Sequence, residues 1–212
     1  MKVLIRILLS SVICIAAPSI FGSTIAITTS PDNVATNTGT WTLGWSFSVN
    51  SSINVTALGA FDAGSDGLNV AHDVGIWDVS GNLLASATVP SGTAGVLDSG
   101  YRFVSISPLS LSAGSTYYVG AVYFVNDNDG WLYDPITLAT APQITYLSRE
   151  FEYSGGSLVF PDIASAGTTG YFGGNFEFDT SSTVPEPSTI ALLAVGLGIV
   201  LFTRKRTGIQ RD

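Results

Sequence analysis

Asp62, Asp66 and Asp73 recur through the stretch DAGSDGLNVAHD at spacings close to those of a calcium loop. Such a loop sets hard carboxylate and carbonyl oxygens at alternate positions, so that a short length of chain wraps one ion. The set expected here is Asp62, Asp66, the Leu68 carbonyl and Asp73, with calcium as the possible cofactor. Two departures stand against it. Gly64 occupies a position that should supply a ligand, and Asp73 replaces the long bidentate glutamate. The competing reading is a glycine-rich turn with solvated aspartates.

A second acidic run, Asn126-Asp127-Asn128-Asp129-Gly130, is followed at once by Trp131. Indole faces pack on the apolar faces of sugars and carboxylates hold hydroxyls, so Asp127, Asp129 and Trp131 are a candidate carbohydrate site. The same residues also describe a plain turn. His72 is the only histidine, and Asp73 beside it in a strand would point to the opposite face, which gives no Ser-His-Asp relay. No Gly-x-Ser-x-Gly elbow is present, and one histidine without a cysteine nearby does not make a typical zinc site. His72 therefore reads as a loop or strand-start residue, and the chain as a non-enzyme.

The elements that would carry these residues are strands. In WTLGWSFSVN, Trp41, Leu43, Trp45, Phe47 and Val49 alternate with small or polar residues, which predicts a half-buried strand. Further strands are expected at 54–61, 74–79, 83–89, 102–107 and 116–125, and again around 172–178. The run 117–125 is apolar on both faces and reads as a central strand. Ser80-Gly81-Asn82 predicts a hairpin turn. Many short strands parted by turns, with no helical period between them, predict an all-β antiparallel sandwich or jelly roll.

Charge narrows the partners. Residues 24–183 hold fourteen acids and two arginines, Arg102 and Arg149, a net charge of −12. A body so acidic is repelled by phosphate backbones, so no nucleic acid is expected. The single cysteine, Cys14, lies outside the body, so no disulfide supports it.

The two ends differ in kind. Lys2 and Arg6 flank an apolar run that gives way to small residues, the pattern of a secretory signal peptide over 1–23. Near the other end, residues 189–202 carry no charge but span only fourteen positions, short of the ~20 that usually cross a bilayer. Arg204-Lys205-Arg206 follow directly, as a cytoplasmic stop requires, and their long side chains reach outward to lengthen the span. Pro185 and Pro187 stop a helix from extending backwards.

Val184-Pro185-Glu186-Pro187-Ser188, the apolar run and Arg204-Lys205-Arg206 together resemble the PEP-CTERM sorting signal of Gram-negative bacteria that make extracellular polysaccharide. That resemblance implies cutting by an exosortase, a membrane-embedded protease. The protein would then be a membrane-anchored precursor delivered to the cell envelope or matrix, with exopolysaccharide as a possible partner. In the body, VGIWDVSGNLLASATV and PLSLSAGSTYYVGAVY resemble a bacterial surface-domain family of unknown function with a β-sandwich fold.

The expected organisation is a signal peptide (1–23), a sandwich (24–180), a linker with the Pro-Glu-Pro motif (181–188), a single transmembrane helix (189–203) and a basic cytoplasmic tail (204–212). The expected function is a non-catalytic surface or matrix protein, with a carbohydrate-binding module as the alternative. Two exposed aromatics on one concave face would favour the alternative. Burial of all four tryptophans would favour the first.

Overall fold

The alternating and apolar runs of the body become strands, and the computed structural model describes residues 23–36, 38–165 and 170–180 of the chain. Three short strands come first, β1 (Thr24–Ile25), β2 (Ile27–Thr29) and β3 (Val34–Ala35). The main body follows as β4 (Trp41–Val49), β5 (Ile53–Phe61), β6 (His72–Asp78), β7 (Leu83–Val89), β8 (Val96–Asp98), β9 (Tyr101–Leu111) and β10 (Thr116–Tyr123). Last come β11 (Trp131–Tyr133), β12 (Leu138–Thr140), β13 (Ile144–Tyr153), β14 (Ile163–Ser165), β15 (Tyr171–Phe172) and β16 (Gly174–Thr180). The described residues include one turn of 3-10 helix, Ala63–Ser65, and no α-helix.

The strands form two main antiparallel sheets, β1-β16-β5-β9-β8 and β14-β13-β4-β10-β6-β7. Smaller sheets, β15-β11-β3 and β12-β2, lie beside them. The fold is all-β, in keeping with a sandwich. Trp45 of β4 stacks on Phe176 of β16, with ring centroids 5.9 Å apart, and Phe47 meets the same ring at 4.9 Å. Each such side chain contributes about 1.5–3 kcal/mol by leaving water.

Two polar tethers cross this core. The fully buried Trp45 donates Nε1–H to the Gly174 carbonyl at 2.8 Å. The Tyr123 hydroxyl accepts from the Phe61 amide at 3.0 Å and lies 3.1 and 3.2 Å from the Phe61 and Gly173 carbonyls. The backbones approach so closely that a Cβ on Gly174 would stand 2.9 Å from the Gly120 carbonyl carbon.

The outer face of the six-stranded sheet is covered too. Gly44, Gly120 and Gly75 are register neighbours on β4, β10 and β6, and they leave a shallow trough. Residues 158–161 lie over it. A Cβ at Gly75 would meet Leu158 at 2.9 Å, and one at Gly120 would meet Pro161 at 3.4 Å. Phe160 packs edge-on against Tyr118 at 4.9 Å and tilts over Trp77 at 6.2 Å.

This cover corrects the expectation for residues 41–49. The polar face of β4 was expected in water, yet Thr42 and Ser46 are buried. Below the cover, Ser46 donates to Glu150 Oε1 at 2.9 Å, and Ser148 donates to the same oxygen. The carboxylate is only 3% exposed. The run at 116–123 is central, between β4 and β6, as two apolar faces require.

The expected signal peptide, the linker with Pro185, Glu186 and Pro187, the transmembrane segment and Arg204-Lys205-Arg206 lie outside the described residues, apart from Ser23. No helix among the described residues is long and apolar enough to cross a membrane.

Two outcomes follow from this packing. Gly174→Ala forces a methyl group against backbone and is expected to lower stability by about 1–3 kcal/mol in urea titration. In the β6–β7 hairpin, Asp78 Oδ1 accepts the amides of Ser80 and Asn82 at 2.9 and 3.0 Å. The side chain and amide of Asn82 are the leading causes that lower its pKa. A carboxylate whose folded pKa is depressed adds stability above its unfolded pKa and loses it as pH falls through the folded one. Asp78→Asn should therefore flatten the loss of stability on acidification, read as urea midpoint against pH. Parallel curves for the two proteins would refute this.

Candidate functional site

Asp62 follows the last residue of β5 and is 1% exposed. Its Oδ2 accepts Arg102 Nε–H at 2.7 Å, and its carboxylate also receives the Gly67 amide at 3.1–3.2 Å. Arg102, buried on β9, donates further N–H groups to the carbonyls of Ser65 and Gly95 at 3.2 Å and Thr93 at 3.4 Å. The guanidinium gathers two loops around one buried ion pair.

The calcium loop expected at 62–73 is thereby corrected. The Leu68 carbonyl accepts the Gly92 amide at 2.6 Å, so it serves a β-bridge. Asp66 is exposed, and Asp73 accepts from Thr88 across the β6–β7 ladder at 2.5 Å. Asp62, Asp66 and Asp73 do not converge. The physical reason is Arg102, whose fixed positive charge fills the centre that an ion would need.

Among the described residues, the acids that converge are Asp127 and Asp129, with His72. Asn126 and Asn128 adopt left-handed conformations, φ 60° and 61°, which asparagine tolerates. This folds the loop so that Asp127 accepts the amides of Phe124 at 2.7 Å and Asp129 at 3.1 Å. Burial pushes the Asp127 pKa up, against the lowering effect of those two amides. Asp129 Oδ1 accepts the backbone and side-chain amides of Asn69 at 2.8 and 2.9 Å. Its Oδ2 accepts the Val70 amide at 3.0 Å and meets His72 Nε2 at 2.9 Å. His72 Nδ1 donates to the Val122 carbonyl at 2.7 Å, and the ring lies 4.4 Å from that of Tyr123.

His72, Asp127 and Asp129 are the residues that could hold a metal, since their ligand atoms fall within 4.8 Å of one another. Every carboxylate oxygen of the pair already accepts an N–H. The arrangement is a closed clasp that joins the 67–71 and 124–130 loops. As expected, His72 starts a strand and Asp73 points away. The carbohydrate trio expected at Asp127, Asp129 and Trp131 does not assemble in that form, because both carboxylates turn inward to the clasp. Sequence reasoning missed Arg102 and the pairing of His72. The available signals were a lone arginine in a strand without acids and a histidine at the start of a largely buried one.

Trp131 belongs to a different assembly. Register sets it opposite Ala35, and β15 brings Tyr171 beside it. Trp131 meets Tyr171 edge to face at 5.2 Å, Phe151 meets Tyr171 at 5.5 Å, and Trp41 meets Phe151 at 5.8 Å. With Leu43, Thr36 and Thr38 these rings line a cleft of about 200 Å³. Arg149 lies over the Tyr171 ring at 5.1 Å and reaches Asp134 at 3.4 Å. Trp45 and Trp77 are buried, whereas Trp41 and Trp131 are half-buried and share this cleft.

Comparison with known proteins gives two matches. A family model described as a domain of unknown function (DUF4082) matches residues 28–189. A model of the PEP-CTERM protein-sorting motif matches residues 183–206. No curated protein and no solved structure matches the chain.

Asp62→Asn leaves the Arg102 charge buried without its counter-ion and is expected to destabilise the protein by about 3–5 kcal/mol. Calorimetry should also give one melting temperature in millimolar calcium and in chelator, since the 62–73 loop is organised by arginine. A calcium-dependent rise would overturn that account.

Proposed function

Because the chain belongs to the DUF4082 family and carries a PEP-CTERM protein-sorting motif, we propose that it is an exported surface or extracellular-matrix protein with a non-catalytic role. The sorting motif carries the proposal, since it implies export and processing by an exosortase, a membrane protein. In this reading residues 1–23 direct secretion and residues 189–203 hold the precursor in the bilayer. Arg204-Lys205-Arg206 keep the tail cytoplasmic. The released body then enters the envelope or matrix.

Engagement of the body's buried ionisable groups supports a non-catalytic role. Asp62 is held by Arg102, and Asp129 by three N–H groups and His72. A second reading, a carbohydrate-binding module for exopolysaccharide, is favoured by the cleft that Trp41 and Trp131 share. Binding of the body to the producer's purified polysaccharide separates the two readings.

Replacing Arg204-Lys205-Arg206 with neutral residues should make uncut precursor accumulate, seen as a heavier band in fractionated cells. Replacing Pro185-Glu186-Pro187 with alanines should have the same effect. Normal cutting and normal location of both variants would remove the sorting proposal.

A further inference from the structure

We propose that the cleft between Trp41 and Trp131 binds one ring of a neutral saccharide, an inference that rests on the carbohydrate-binding reading above. Several large aromatics of the described residues are sealed into the core: Trp45, Phe47, Phe172, Phe176 and Phe178 are all fully buried. Trp41, Trp131, Phe151 and Tyr171 instead stay half-buried around an open space. They come from four strands, β4, β11, β13 and β15, and their edge-to-face contacts fix each ring against the next. A rigid aromatic surface of this kind loses little conformational freedom when a ligand arrives.

The ligand's chemistry follows from the lining. Pyranose rings carry C–H groups on their faces and hydroxyls around their rim. The cleft mirrors that division, with aromatic walls and the exposed hydroxyls of Thr36 and Thr38. A purely aliphatic ligand would leave those hydroxyls facing hydrocarbon.

Charge then selects among saccharides. The body's net charge of −12 repels an acidic ring. Arg149, the cation beside the cleft, is already held by Asp134 and by the Tyr171 face. A carboxylate or sulfate on the sugar would enter without a strong partner. A neutral ring meets no such penalty.

The test uses the full chain, purified in a detergent without a sugar headgroup. It is titrated with neutral hexasaccharides of glucose, mannose and galactose and with hexagalacturonate. Tryptophan fluorescence and calorimetry report binding. The expected result is saturable binding of at least one neutral hexamer and binding of hexagalacturonate at least tenfold weaker. Trp131→Ala should lower affinity by about tenfold, the size expected for loss of one aromatic contact. Since Trp131 also supports its small sheet, the paired Thr36→Ala and Thr38→Ala changes at exposed positions provide a second variant. They should weaken binding by about threefold or more with an unchanged melting temperature.

Equal binding of hexagalacturonate through these residues would overturn neutrality and leave the carbohydrate reading standing. Neutral binding insensitive to both variants would overturn the cleft as its place. No binding by any hexamer would overturn the inference and the carbohydrate reading together.

Discussion

The indole N–H of Trp45 has to find an acceptor inside the core, and the acceptor is a backbone carbonyl of the opposite sheet. Leaving such a donor unpaired in the interior would cost about 1–3 kcal/mol. Reaching Gly174 draws the sheets to backbone distance, where Gly174, set against the Gly120 and Ala121 backbone, has no room for a side chain. The same approach brings Phe176 flat against the indole, at an interplanar angle of 15°. Much of the packing on both faces of β4 is arranged around this contact.

Close approach on the inside has its counterpart on the outside. The glycines that thin the six-stranded sheet also form the trough that residues 158–161 fill. Strand β13 shows how one segment serves both surfaces. Adjacent side chains point to opposite faces, so Glu150 joins the serines beneath the cover while Arg149 reaches Tyr171 at the cleft. The ion pair of Asp62 with Arg102 and the His72–Asp129 clasp then secure the loops.

Strands with a clean period were legible in the sequence. Those at 41–49 and 83–89 fall where alternation and turn residues placed them. Strand β13 was not read, although it is ten residues long. Its sequence, ITYLSREFEY, sets Arg149 and Glu150 at buried positions, and an irregularity between Tyr146 and Ser148 shifts the alternation midway. The acidic loops failed for another reason. Sequence spacing invited a ligand set within twelve residues, whereas the partners of Asp62 and Asp129 lie 40 and 57 residues away in the chain. Trp131 was legible as a residue of interest, but its neighbours, Trp41, Phe151 and Tyr171, are assembled by pairing that no local motif encodes. The sorting signal was readable because its three parts are contiguous.

Strand β16 lies between β1 and β5, antiparallel to both, and it leads directly towards the sorting motif. A protein tethered through that end takes any drag on its body along the axis of β16. Ladder hydrogen bonds run across strands, so such a pull loads many of them together in shear, whereas a peeling force would open them one at a time. With β1 beside β16, the first and last strands of the described body brace each other. A pull applied through that end would therefore meet the fold in its mechanically stiffer direction.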